Sequence, residues 1–219
     1  GSLVKTGTGV VELANANNAQ SETVVNQGIL QVSNNNNLGV AAAKVVLNGG
    51  IFQSIATQSY ARDFTVGVNH GTVDVLADTT VTLANTIDGA GRLNKTGTGV
   101  LVLAGNNSYQ GGTAVNAGTL VVNSAANLGT GSELAVNNAT VQTTSTMDLQ
   151  NLVLSGTSNV QADANLTVQN VAVTGAANLL TDNTLIISGI VSGAGALVKQ
   201  GTGNLELSGV NTYSGGTTL

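Results

Sequence analysis

Leu93–Gly129 reads LNKTGTGVLVLAGNNSYQGGTAVNAGTLVVNSAANLG, and the chain carries it three times. Leu3–Gly39, LVKTGTGVVELANANNAQSETVVNQGILQVSNNNNLG, matches it without insertion or deletion. Leu197–Leu219, LVKQGTGNLELSGVNTYSGGTTL, follows it until the sequence stops. Lys5, Lys95 and Lys199 mark equivalent points, 90 and 104 residues apart. Repetition on this scale points to an architecture made by stacking one small unit on copies of itself.

The copies serve as substitutions for one another. After the glycine pair, Val11, Leu101 and Leu205 are all aliphatic, as are Leu13, Leu103 and Leu207, whereas the position between them is Glu12, Val102 or Glu206. A carboxylate without a compensating charge is costly to bury, so that position faces water. The result is the period-two alternation of a β-strand. The next strand follows the same rule, with Leu30/Val32 and Leu120/Val122 inward and Gln31/Val121 outward. Gly28 and Gly118 precede it, where the turn asks for a residue tolerant of positive φ.

Composition narrows the choice of architecture. The chain is 42% hydrophobic but only 2% aromatic and 8% charged, so its core must be built from small aliphatics. No apolar run approaches the ~18–20 residues of a membrane-spanning helix, and no sustained i, i+3, i+4 stripe predicts a helix. Val45–Leu47, Gly71–Val75, Thr80–Leu83, Leu134–Val136, Leu152–Leu154, Leu166–Val168 and Leu185–Ile187 read as further short strands, bounded by Gly, Asn, Asp, Ser or Thr. Sandwich, barrel and solenoid all use such strands. The long in-register repeats, small stackable core residues and outward Thr, Asn, Gln and Ser, able to form ladders between turns, favour the solenoid.

The expected fold class is therefore all-β, a right-handed parallel β-helix (solenoid). Handedness follows from the strong bias of parallel crossover connections. Asp163-Ala-Asn-Leu166-Thr-Val168 resembles Asp182-Asn-Thr-Leu185-Ile-Ile187, a spacing of 19 residues. Coils of roughly 20 residues give about ten to eleven coils. Nothing reads as a linker, so residues 1–219 are expected to form a single domain, with repeat copies at 3–39, 93–129 and 197–219.

Between the repeats, Asn34–Asn37 reads as a turn. Phe52–Asn69 is the most divergent stretch and gathers Tyr60, Arg62, Asp63 and Phe64, expected either to cover the core or, because Arg and aromatics favour interfaces, to offer a contact site. TIDGAGR at 86–92 recurs as VSGAGA at 191–196 as the lead-in to the second and third copies.

Few residues suggest reactive chemistry. His70 is the one histidine, and without cysteine it cannot complete a Cys/His zinc site; it reads as a turn residue. There is no G-x-S-x-G nucleophile motif and no calcium-binding nonapeptide. Asp163 and Asp182, one coil apart, would stand about 5 Å from each other, close to the carboxylate separation of a retaining glycosidase. Both also precede a strand, as does Asp78, where Asp is an ordinary turn former. A net charge of −5 with six basic residues argues against nucleic acid. No catalytic, cofactor-binding or metal-binding residue is assigned, no cofactor is expected, and a ligand-binding residue stays unassigned.

The pattern G-x-G-x-L-x-L-x-G-x-N-x-Y-x-G-x-T, then A-G-x-L-x-V and N-x-L-G, resembles the passenger-associated transport repeat of bacterial autotransporters. In the second copy it comprises Gly97, Gly99, Leu101, Leu103, Gly105, Asn107, Tyr109, Gly111, Thr113, Ala117, Gly118, Leu120, Val122, Asn127, Leu128 and Gly129. In the third it comprises Gly201, Gly203, Leu205, Leu207, Gly209, Asn211, Tyr213, Gly215 and Thr217. The first copy departs, with Asn15 and Ser21 in place of glycines and Ala19 in place of tyrosine, but keeps Asn17, Thr23, Gly28, Leu30, Val32, Leu38 and Gly39.

This resemblance implies a β-helical passenger exported across a Gram-negative outer membrane by its own C-terminal β-barrel translocator, and repeats that assist secretion and folding. It implies a place at the cell surface or among secreted proteins, and a stalk that adheres, autoaggregates or builds biofilm through the same protein on neighbouring cells or host surface molecules. The alternative is a non-catalytic stem of a passenger whose effector, such as a protease domain, lies elsewhere; a carbohydrate-active β-helix ranks below both. Absence of cysteine suits a chain that crosses the periplasm unfolded. The sequence shows no signal peptide and no barrel, and its end inside the third copy reads as that of a fragment not itself membrane-spanning.

Overall fold

Period-two alternation translates directly into burial. In a computed structural model that describes residues 1–16 and 18–219, Leu101 and Leu103 are buried while Val100 and Val102 are half-exposed, and Leu30 and Val32 are buried while Gln31 is half-exposed. Regular structure among the described residues is strand, apart from single 3-10 turns at Asn35–Leu38 and Ala125–Leu128. Every strand pairing described is parallel, which makes the fold a parallel β-solenoid and excludes an antiparallel sandwich.

The chain divides into two compact units, Gly1–Thr113 with Ala126–Gly131, and Ala114–Ala125 with Ser132–Leu219. The first unit holds three stacks. One runs Ser2–Lys5, Glu22–Val25, Lys44–Leu47, Phe64–Val66, Ile87–Asp88. A second runs Val10–Leu13, Ile29–Val32, Ile51–Ser54, Gly71–Val75, Leu93–Thr96. The third runs Gln58–Tyr60, Thr80–Leu83, Val100–Leu103. Register in the second stack places Val11, Leu30, Phe52, Val73 and Lys95 in one inward column.

The second unit is more regular. Glu133–Asn137, Met147–Ser155, Leu166–Val173, Leu185–Ile187 and Leu205–Leu207 form one stack; Thr119–Val122, Thr140–Thr143, Thr157–Ala162, Ala176–Thr181, Ala196–Gln200 and Thr217–Thr218 form another. Val141, Val160, Leu179 and Lys199 share an inward column there. Each buried Leu, Val or Ile contributes about 1.5–3 kcal/mol.

One expectation needs correction. Val11 is 38% exposed and Leu13 only half-buried, although Glu12 is exposed as expected. The strand Val10–Leu13 has a parallel neighbour on one side only among the described residues, so its inward face is incompletely covered. Leu205 and Leu207, on the similarly one-sided strand Leu205–Leu207, are half-buried for the same reason.

Polar side chains join one coil to the next. Outward, Gln31 donates to Gln53 at 2.6 Å, Gln53 to Asp74 at 2.7 Å, and Thr96 also donates to Asp74 at 2.7 Å. In the second unit Asn178 donates to Asn159 at 2.8 Å across a spacing of 19 residues. At turns, side-chain oxygens accept amides from the next coil: Asn48 from Asn69, Asn138 from Thr157, Asn165 from Thr184. These bonds satisfy turn amides that the strand ladders leave over. Spacings along the Gln31–Thr96 ladder are 21–22 residues, so coils there are longer than the 19-residue coils around Asn159 and Asn178.

Candidate functional site: the repeat knot and the buried cations

The motif residues of the second copy converge. Asn107 accepts from the Ile87 amide at 2.8 Å and donates to the Asn127 carbonyl at 2.5 Å, while Asn127 donates back to the Gly105 carbonyl at 3.0 Å. Tyr109 is fully buried, and its hydroxyl shares a 2.6 Å hydrogen bond with that of Thr113. Burial raises its pKa well above the usual phenol value, and the hydrogen bond with Thr113 offsets only part of that rise. Gly129 lies against this tyrosine with φ +73°, and a Cβ there would come within 2.4 Å of the Tyr109 carbonyl oxygen and 3.0 Å of its ring. In the third copy Asn211 accepts from the Val191 amide at 2.8 Å, and the Tyr213 and Thr217 hydroxyls pair likewise.

The first copy closes its knot differently. Ala19 stands where the tyrosine would be, and the Thr23 hydroxyl, equivalent to that of Thr113, is fully buried with no partner among the described residues. Asn17 lies outside the described residues, and its neighbours Asn18 and Gln20 donate to the Asn37 carbonyl at 2.8 and 3.2 Å. Asn34–Asn37 is the turn the sequence suggests: Asn34 accepts from the Asn36 amide, and Asn37 from the amides of Ser33 and Asn34.

Arg62 reaches into this turn from a later coil. Nε donates to the Asn35 side chain at 2.8 Å, one terminal nitrogen to the carbonyls of Leu38 and Ala43 at 3.0 Å each, and the other to the Asn35 carbonyl at 2.7 Å. It is 2% exposed, and burial lowers its pKa from the usual guanidinium value.

The contact site considered for Tyr60, Arg62, Asp63 and Phe64 is therefore corrected. Tyr60 and Phe64 are also buried, and both rings meet Phe52 edge-on at 5.0 and 5.3 Å, filling the interior of the longer coils. The Tyr60 hydroxyl pairs with Ser54 at 2.7 Å, and burial pushes its pKa up to about 12. Asp63 alone of the four is exposed, and it accepts from Thr86 at 2.8 Å.

Three lysines, not singled out as functional from sequence, prove to be buried. Lys5, Lys95 and Lys199 occupy inward positions at 5%, 0% and 8% exposure. Each ammonium curls onto the carbonyls one and two residues ahead: Thr6 and Gly7 at 3.0 and 2.5 Å, Thr96 and Gly97 at 2.8 and 2.7 Å, Gln200 and Gly201 at 2.8 and 3.0 Å. Lys5 adds the Gln27 carbonyl at 3.0 Å and Lys199 that of Thr181 at 3.2 Å, each from an adjoining coil. Burial pushes the Lys95 pKa down to about 8, an effect that Asp74 partly offsets. The clue was present in the sequence: lysine recurs in all three copies within an otherwise alternating strand.

Asp163 and Asp182 follow directly on the register partners Ala162 and Thr181, so they stand one coil apart as expected. With Gln161, Asn183 and Gln200 they line a surface depression of about 510 Å³. Asp163 accepts from Gln142 at 2.5 Å and Gln161 at 3.0 Å. Asp182 accepts from the Thr202 amide and hydroxyl at 2.7 and 3.0 Å, which hold its carboxyl below the usual range, with Lys199 adding to the effect. A general acid needs a shift in the other direction. Asp78 and His70 occupy left-handed turn positions, φ +59° and +65°, and His70 Nδ1 accepts from the Arg92 amide at 3.0 Å. No cluster of three or more His, Cys, Asp or Glu that could hold a metal is found among the described residues. None of the helices described is long and apolar enough to cross a membrane.

Comparison with known proteins bears on the same three segments. The family model for the passenger-associated-transport-repeat matches residues 3–32, 93–122 and 197–219. Over 210 residues, 90% of its length, the chain is 32% identical to the adhesin BmaC autotransporter of Brucella suis biovar 1 (strain 1330). It spans 6% of that relative's length. No solved structure matches the chain.

Proposed function

We propose, from the premise that this chain is autotransporter passenger sequence carrying passenger-associated transport repeats, that it forms an adhesive, non-enzymatic section of such a passenger. The whole protein is displayed on a Gram-negative cell, or released from it, after export through a C-terminal β-barrel outside this sequence. The observation that carries the reading is the in-register parallel stacking of successive coils. Each coil presents its neighbour with a row of backbone donors and acceptors, as where the Ile29 amide meets the Gly9 carbonyl and the Ile51 amide the Gly28 carbonyl. A chain emerging from the barrel folds by adding coils to such an edge, and burial of the aliphatic columns favours outward movement. The outward Asn, Gln and Thr columns then face other surfaces: the same protein on a neighbouring cell, or host molecules.

The test is to delete residues 1–219 from the parent protein on displaying cells and measure settling and biofilm mass. Loss of aggregation with the remaining passenger still surface-exposed supports adhesion; equal settling removes it. A second reading is a stem for an effector elsewhere. In that case deletion leaves settling unchanged and reduces display of the downstream or upstream domain.

A further inference from the structure

We infer that the lysines opening the first and third repeats, Lys5 and Lys199, set the register between their coil and the adjoining one. Aliphatic columns cannot do this alone. Leu30 and Val32, or Leu101 and Leu103, are successive inward residues of similar size, and their neighbours in the adjoining coils are mostly aliphatic or aromatic, Ser54 beside Val32 being the polar one. A slip of two residues keeps every inward side chain inward, so hydrophobic burial changes little. The outward ladders are no stricter, because Gln and Asn can pair with any neighbouring amide.

A buried ammonium does discriminate. Two acceptors of Lys5, the Thr6 and Gly7 carbonyls, travel with it, but the third, the Gln27 carbonyl, belongs to the next coil. Gly28 passes directly over this cradle, where a Cβ would come within 2.6 Å of the Lys5 nitrogen and 2.4 Å of the Gly7 carbonyl oxygen. A two-residue slip moves the strand about 6.6 Å. It carries the Gln27 carbonyl away from the ammonium and brings Asn26 or Leu30, each with a Cβ, to the place of Gly28, where a Cβ meets the Lys5 nitrogen and the Gly7 carbonyl oxygen. Lys199 draws its third acceptor, the Thr181 carbonyl, from the preceding coil and is subject to the same constraint. The penalty falls on the slipped pairing alone, as with a buried polar residue that fixes the register of a coiled coil. In the first copy Lys5 and Gly28 are thus the two halves of a clasp spanning one coil.

The chain has no cysteine, so introduced pairs report register cleanly. Val10 and Ile29 are outward register partners, as are Leu180 and Gln200. The chain is unfolded, refolded and mildly oxidised as V10C/I29C or L180C/Q200C, which join in the native register. In parallel, V10C/Q31C and L180C/V198C join only after a two-residue slip. Lys5→Met and Lys199→Met keep side-chain length and remove the charge. The ratio of native to slipped cross-link is expected to fall about tenfold in each repeat when its lysine becomes methionine, with the fold retained. A ratio that stays near that of the parent in either repeat overturns the inference. So does loss of the folded state in either variant, since the cation would then be holding the fold together and not selecting its register.

Discussion

Residues 3–39 and 93–129 start from one template and close it in two ways. The second copy uses its own tyrosine: Tyr109 fills the space beneath Gly129 and its hydroxyl finds Thr113. The first lacks that ring, leaves Thr23 without a partner among the described residues, and has its turn carbonyls gathered by Arg62 from a later coil. What the repeat preserves is a satisfied turn; the residue that satisfies it can come from inside or outside the repeat. Tyr109 adds mainly buried area and one hydroxyl pair, whereas Arg62 supplies several charge-assisted bonds to main-chain oxygens.

Removing Arg62 is the strongest way to break the comparison. Arg62→Met leaves the carbonyls of Asn35, Leu38 and Ala43 without this donor and is expected to cost about 3 kcal/mol, read as a lower urea midpoint for the first unit. An unchanged midpoint would mean that the first copy does not depend on the borrowed cation. The hydroxyls give a smaller effect and opposite signs. Thr113→Val removes the partner of the Tyr109 hydroxyl and should destabilise by about 2 kcal/mol, whereas Thr23→Val removes a hydroxyl with no partner among the described residues and should stabilise by up to about 1 kcal/mol. Thermal melts of the two variants moving in the same direction would contradict the distinction between the copies.

A further expected effect is a dependence on pH. The folded Lys95 pKa of about 8 lies below its ordinary 10.5, so the unfolded chain binds more protons between those values. Stability from this group therefore rises with pH across that window, and below about 8 its full penalty applies. Subtracting the pH profile of Lys95→Met from that of the parent isolates it from the tyrosines; a flat difference from pH 8 to 10 would rule it out.

Legibility differed by kind of residue. The strands around Leu101, Leu30 and Leu166 could be read because alternation is a local property of a pleated chain. The Asp163–Asp182 placement could be read because the two flanking segments repeat at 19 residues, the coil spacing seen at Asn159 and Asn178. Its chemistry could not, since the donors that hold Asp182 ionised come from Thr202, one coil further on. Tyr60, Arg62 and Phe64 were ambiguous for the same reason: residues suited to an interface are equally suited to a wide interior.

By itself the sequence determined the strand period, the repeat, the parallel solenoid and the kinship with autotransporter passengers, all of which follow from which residue types recur at which spacing. Only the tertiary structure decided where the cations go. An ammonium or guanidinium is buried only if carbonyl oxygens surround it at about 3 Å, and for Lys5, Arg62 and Lys199 those oxygens include some that lie 18 to 27 residues away along the chain.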